Sequence, residues 1–181
     1  MNRSTPHHHP VWQSTQRRPA IPLHWRPWLC ERGSLTQQLR LACQGEFEVE
    51  LLKLYWDRPT RSEALRLGIP FRQRTLIREV HLCGYGEPWV FARSVIPAAT
   101  LQGDDRRLLL LGNRSLGSLL FSDPSIRRGQ IEVTRLTHQQ QTCWARRSVF
   151  RLQEGPILVM ETFLPSMASI AYPSLKDSHY A

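Results

Sequence analysis

No two of the four cysteines, Cys30, Cys43, Cys83 and Cys143, fall at C-x-x-C spacing, so the chain carries neither a zinc-ribbon nor a dithiol redox signature. No apolar run approaches the ~20 residues needed to cross a bilayer, which argues against stable membrane insertion. No signal peptide is read from Met1-Asn2-Arg3-Ser4-Thr5-Pro6, and the expectation is a cytoplasmic protein with reduced thiols. Phosphate loops, dinucleotide glycine fingerprints, metalloprotease helices and Gly-x-Ser-x-Gly elbows are missing, which lowers the case for a cofactor or metal enzyme. Outside the run His7, His8 and His9, the histidines lack metal-ligand spacing, and that run sits among prolines and polar residues like a solvated terminus. No internal repeat is present.

What is there suits a single folded domain. The chain has 181 residues, 41% of them hydrophobic, with six Trp and six Phe. Its formal net charge is +9, from 24 basic and 15 acidic residues. Such a balance fits nucleic acid, an anionic membrane or an anionic small substrate. The basic residues are spread along the chain rather than massed in one tract, and charge alone leaves the three open.

Residues 1–22 are Pro-, His- and Arg-rich without a period and read as a flexible extension. Ser34 and Gln37 have capping-box spacing at the start of a helix whose apolar stripe is Leu35, Leu39 and Ala42, with Gly45 as its stop. Strands are expected from Phe47 toward Trp56, over Phe71–Cys83, Trp89–Ile96, Gln130–Thr137, Thr142–Gln153 and Ile157–Leu164. A helical turn fits within 59–70, and short helices fit 104–111 and 115–121, the last capped by Ser115. The short turns imply a meander. The fold class expected is α+β: a single domain with an antiparallel sheet of about six strands and helices on one side. Residues 166–181 read as a weakly ordered tail.

Two charges interrupt apolar strand faces. Alternation puts Leu76, Arg78, Val80 and Leu82 on one side, and Ile157, Val159, Glu161 and Phe163 on one side. An unpaired buried charge costs several kcal/mol, so each needs a partner. For Arg78 the alternatives are a structural ion pair or a guanidinium fork for a ligand carboxylate. Arg93 shares a face with Trp89, Phe91 and Val95, with the same two readings; as a hairpin neighbour of Arg78 it would complete one anion site. Glu161 is either an arginine's core partner or a general acid or base. Ser115-Leu116-Gly117 opens a helix, where free amides can bind an anion or simply form a capped turn. Arg146 and Arg147 point to opposite faces, with at least one expected in solvent.

At these residues the sequence resembles the chorismate lyase family. The stretches that carry the resemblance are IREVHLCGYGEPWVFARSVIP (77–97), LGNRSLGSLLF (111–121), ARRSVFRL (145–152) and VMETFLP (159–165), with GSLTQQLRLACQGEFEVELL (33–52) fitting the N-terminal part. The resemblance spans 23–165. It implies a monomeric, cytoplasmic enzyme without cofactor or metal, acting on chorismate to release 4-hydroxybenzoate and pyruvate for ubiquinone biosynthesis. It implies a six-stranded antiparallel sheet around a buried ligand site, and no nucleic-acid partner. By motif, Arg78 holds the ring carboxylate, the backbone at Leu116 adds to that grip, Glu161 meets the 4-hydroxyl and the backbone at Leu35 lines the other end. Arg93 is the candidate for the departing enolpyruvyl carboxylate. Leu35 stands where the family can carry methionine. The rival reading is a non-catalytic small-molecule binder, as in effector domains of GntR-type regulators. Fewer than thirty residues precede the resembling region, too few and too Pro-rich for a helix-turn-helix.

Overall fold

The computed structural model describes residues 10–173; the His7–His9 run lies outside them. The expected strands form. They are β2 (Phe47–Asp57), β3 (Thr75–Gly84), β4 (Glu87–Pro97), β6 (Glu132–His138), β7 (Gln141–Arg151) and β8 (Pro156–Phe163). Two-residue strands β1 (Gln13–Ser14) and β5 (Arg127–Arg128) bring the sheet to eight. All pairings are antiparallel, in the order β1-β6-β7-β8-β4-β3-β2, with β5 beside β7. Two three-strand meanders, β2-β3-β4 and β6-β7-β8, thus join through the β4–β8 pair. The fold is α+β.

Helix ends follow the capping chemistry. In α2 (Leu35–Ala42), Ser34 Oγ accepts from Gln37 N at 3.3 Å, and Gly45, at φ 93°, returns its amide to Arg40 O. Helix α3 (Arg61–Leu67) carries a full capping box between Thr60 and Glu63 and ends at Gly68 in the left-handed region, φ 71°. Helix α4 (Leu116–Ser122) is capped by Ser115 Oγ, which accepts from Ser118 N at 3.2 Å. The stretch Gly103–Leu110 is 3-10 helix rather than α-helix. Before α2 lies the short α1 (Arg26–Cys30), with Trp28 and Leu29 buried.

One sheet face carries two apolar clusters. Trp28, Leu29, Leu35 and Leu39 pack on Val80, Leu82, Val90 and Phe163. Leu108, Leu111, Leu116 and Leu120 pack on Leu76, Ile96, Phe150, Ile157 and Val159. The helices do not all lie on that side. Helix α3 crosses to the opposite face, where Leu67 meets Val95, Val149 and Leu158. Both faces of β3, β4, β7 and β8 carry apolar residues, so both require cover.

Where described, the flanking segments lie along this body. Ser14 and Gln13 pair with Glu132 and Val133, Thr134 Oγ1 donates to Val11 O at 2.8 Å, and Ile21 is buried. Past Pro165, Met167 is buried and the Tyr172 hydroxyl donates to Glu31 at 2.9 Å.

Candidate active site

Directly opposed residues of an antiparallel pair share a face, so the register decides which charges meet. Arg78 opposes Ser94, and Ser94 opposes Val159. Ala92 opposes Glu161, and Glu161 opposes Arg146. Arg78, Arg146 and Glu161 therefore rise from one face of three strands, at the seam between the two apolar clusters. A partly enclosed cavity lies there. Its empty space, counted out through the mouth, is about 480 Å³. Such a space is of the size that takes a small molecule.

Arg78 is 3% exposed. Its Nη2 donates to Gly112 O at 2.9 Å and Arg114 O at 2.8 Å, the carbonyls of the turn before α4. Its Nε is buried without an acceptor, and no carboxylate lies within ion-pair distance among the described residues. Burial pulls the guanidinium down to about 10, still charged at neutral pH. A buried cation lining a cavity with an unused donor has the chemistry to receive an anion.

The far end is built differently. Arg146, fully buried, donates from Nε to Glu161 Oε2 at 2.5 Å and from Nη1 to Trp28 O at 2.7 Å and Glu31 O at 3.1 Å. Glu161 is thus an arginine's partner, yet its Oε1 has no protein donor among the described residues and Glu161 lines the cavity. Arg128, from β5, reaches the same cavity. Its guanidinium is held down to about 10, first by burial and then by repulsion from Arg146, which Glu161 opposes.

Helices α2 and α4 close the cavity with Leu35, Thr36, Leu116, Gly117, Leu120 and Phe121. Thr36 Oγ1 and Ser115 Oγ share a buried hydrogen bond of 2.7 Å that ties the two helices. Gly117 permits this approach: a Cβ there would sit 2.7 Å from Thr36 Oγ1. The amides of Leu116 and Gly117, in the first turn of α4, have no intrahelical acceptor.

Of the five residues singled out from sequence, Arg78, Glu161, Leu35 and Leu116 come together here. Arg93 does not. Its register partner is Glu79, so it rises from the opposite face. There its Nε donates to Glu63 Oε1 at 2.8 Å and its Nη1 to Glu79 Oε1 at 2.6 Å and the Tyr55 hydroxyl at 3.1 Å. Burial alone would lower the Arg93 pKa; the Glu63 hydrogen bond and charge, with Tyr55 and Glu79, hold it above its ordinary value. The structural ion pair is the reading that applies to Arg93; Arg78 has no such pair among the described residues. The single anion site expected of the two is therefore corrected: they are hairpin neighbours on opposite faces. A second correction concerns Arg146 and Arg147, neither of which is in solvent. Arg147 is 8% exposed and donates to Glu132 at 2.7 Å and the Ser62 hydroxyl at 2.8 Å.

A family model described as chorismate lyase matches residues 7–171. The chain belongs to the chorismate lyase family. A relative from Marinobacter nauticus named "Probable chorismate pyruvate-lyase" is 44% identical over 144 residues, 78% of this chain and 77% of the relative. Relatives of the same name from Methylobacillus flagellatus and Chromohalobacter salexigens are 42% and 40% identical, covering 81% and 93% of this chain and 90% and 94% of theirs. Among solved structures, the C-terminal domain of the histidine utilization repressor from Pseudomonas syringae pv. tomato matches with TM-score 0.51 at 10% identity, covering 71% of this chain and 98% of that one. A GntR-family transcriptional regulator from Bacillus cereus matches with TM-score 0.50 at 14% identity, over 72% and 98%. These two show the fold that chorismate lyase family members share with such domains, and nothing of function.

Arg128 and Arg146 also line this cavity and were not among the five candidates read from the sequence. Arg146 had a usable signal: Trp144, Arg146, Ser148 and Phe150 alternate on the face that opposes Glu161. Arg128, in a two-residue strand, had none. No helix among the described residues is long and apolar enough to cross a membrane.

Proposed function

We propose that this protein eliminates pyruvate from chorismate to give 4-hydroxybenzoate, the ring precursor that enters ubiquinone biosynthesis. The observation that carries the reading is Arg78: a buried, charged guanidinium that has neither a counter-ion nor an acceptor for its Nε among the described residues, lining one cavity with Glu161. Arg78 takes the ring carboxylate, with the Leu116 amide adding a donor. The ring lies over Val80, Ala92 and Val159, with Leu35 at the cover. Its para position, with the 4-hydroxyl, then points to Glu161.

In this reaction the C3–O bond to the enolpyruvyl group breaks and C4 loses its hydrogen as a proton. The ring becomes aromatic, and the departing enolpyruvate takes a proton on carbon to become pyruvate. The atoms of the substrate divide wholly between two products, with no net change of oxidation state, so no redox partner is required. Aromatisation supplies the driving force. The protein's tasks are to orient the ring, to neutralise the carboxylates and to hold the 4-hydroxyl. Glu161 does the last through Oε1, with Arg146 fixing Oε2. We place the enzyme in the cytoplasm as a monomer without a nucleic-acid partner, as the family resemblance implies.

Incubation of the purified protein with chorismate alone is expected to release 4-hydroxybenzoate and pyruvate in equal amounts. Binding of 4-hydroxybenzoate without any turnover would instead make this a small-molecule sensor on the shared fold. Turnover abolished by a chelator and restored by a metal would reject the metal-free scheme.

A further inference from the structure

We propose that Arg128 is the second carboxylate receptor of the cavity and takes the enolpyruvyl carboxylate of chorismate. The inference rests on the reaction proposed above. It starts from a charge count. The cavity is lined by three guanidinium groups, Arg78, Arg128 and Arg146, and by one carboxylate, Glu161, a net charge of +2. Glu161 pairs with Arg146. Arg78 and Arg128 remain without a carboxylate partner among the described residues, and two uncompensated cations in a largely buried site suit a dianion. Chorismate is a dianion; 4-hydroxybenzoate is not. One of the two cations therefore has a use only before the bond breaks.

Placement says which one. Arg78 stands apart from the other charges, and burial alone accounts for its lowered pKa. Arg128 and Arg146 donate from Nη1 to the same carbonyl, Glu31 O, at 3.2 and 3.1 Å, so Arg128 stands at the Arg146–Glu161 end of the cavity. With the ring carboxylate on Arg78, C4 lies at that end and the C3 ether next to it. A carboxylate two bonds beyond the ether oxygen then falls on the Arg128 side. Arg93, the earlier candidate for this role, is separated from the ring by the sheet itself.

Arg128 is also held ready. Its Nε donates to Ser148 Oγ at 2.8 Å, and its Nη1 lies 3.1–3.3 Å from the carbonyls of Glu31, Arg32 and Gly33. Phe121 and Phe150 lie against its guanidinium, with ring centroids 5.8 and 5.2 Å from Cζ. The Nη2 group makes no hydrogen bond to protein among the described residues. A fork fixed on three sides with one donor group unused binds an anion with little loss of side-chain freedom.

The competing role is a clamp on the chain at 31–33, and the experiment separates the two. Arg128→Lys and Arg128→Gln are compared with wild type in chorismate turnover and, by calorimetry, in affinity for two ligands. One is 4-hydroxybenzoate; the other is 3-(carboxymethoxy)-4-hydroxybenzoate, which restores an ether-linked carboxylate. We expect Arg128→Gln to raise the chorismate KM and weaken the dicarboxylate by about 10- to 100-fold, the scale of one charged hydrogen-bonding partner. Affinity for 4-hydroxybenzoate changes by less than about 3-fold, and Arg128→Lys falls between. Equal losses for both ligands would make Arg128 a clamp and overturn the proposal; an unchanged dicarboxylate affinity would overturn it as well. Should both variants fail to fold, wild type still decides. It must bind the dicarboxylate at least about 10-fold more tightly than the methyl ester of its ether-linked acid, and equal affinities reject the assignment. Absence of chorismate turnover in wild type would count against the proposed reaction alone, since the ligand ratios test Arg128 independently.

Discussion

Arg78 and Arg93 are neighbours on adjacent strands, and their replacement by methionine is expected to have opposite consequences. Arg93 is compensated: Glu63 and Glu79 both pair with it at 2.8 and 2.6 Å, and the three side chains are largely buried. Its removal leaves two buried carboxylates without their cation, a loss on the order of 3–5 kcal/mol. For a domain of this size that lowers Tm by roughly 10 °C. Arg78 is uncompensated. Burial pulls its pKa down from the ordinary arginine value to about 10. At ~1.4 kcal/mol per unit, the folded state bears ~3 kcal/mol for keeping it charged. Against that stand its two hydrogen bonds to the Gly112 and Arg114 carbonyls, worth ~1.5–3 kcal/mol each. Methionine fills part of the space and loses both the penalty and the bonds, so the net change is small, with Tm shifting by only a few degrees. Affinity moves the other way. Arg78→Met is expected to weaken 4-hydroxybenzoate by about 10- to 100-fold and Arg93→Met by less than about 3-fold. Thermal unfolding and calorimetry on both variants test the pair. The reasoning fails if Arg78→Met unfolds as early as Arg93→Met, or if it keeps wild-type product affinity.

Glu161→Gln is expected to reduce single-turnover chemistry by ~10²-fold or more if the carboxylate moves a proton or stabilises charge; a folded variant within a few-fold of wild type would make Glu161 a positioning residue. Its Tm should also fall, because Arg146 loses its counter-ion. Gly117→Ala puts a methyl 2.7 Å from Thr36 Oγ1 and should destabilise by ~1–3 kcal/mol; adding Thr36→Ala should recover part of this, and strict additivity of the two losses would refute the contact. The Glu63 carboxyl is lowered from 4.5: burial raises it, but the Arg93 hydrogen bond and charge outweigh burial. A depressed carboxyl contributes stability that is present above 4.5 and lost as pH falls through the folded-state value. Urea unfolding between pH 5 and 3 should therefore show a shallower acid loss in Arg93→Met than in wild type, and identical slopes would reject the linkage.

Much of the fold was legible in the chain. Alternation located the six long strands, and the side-chain oxygens of Ser34 and Ser115 located two helix starts, because these signals depend on neighbours close in sequence. The opposite-face position of α3 was not legible, since an apolar strand face does not say which distant helix covers it. The same division runs through the site. Arg78 and Glu161 stood out as charges on apolar faces, and the family resemblance attached Leu35 and Leu116 to them. Arg93 had the same local signature as Arg78, a charge among Phe91 and Val95, yet it serves the other side of the sheet. Nothing within β4 distinguishes the two cases. The pairing of Glu79 with Arg93, one residue out of phase with Arg78 and Ser94, does so. Arg146 and Arg147 could be assigned to opposite faces from sequence, but not to burial, because Trp28 and Glu31 on one side and Ser62 on the other come from remote segments. Arg128 gave no periodic signal at all. The chain by itself determined the strands, the caps and the charges that an apolar face cannot hold alone. Strand register and the covering helices decided which of those charges meet around the cavity and which are paired off behind it, because both are set by contacts between residues far apart in sequence.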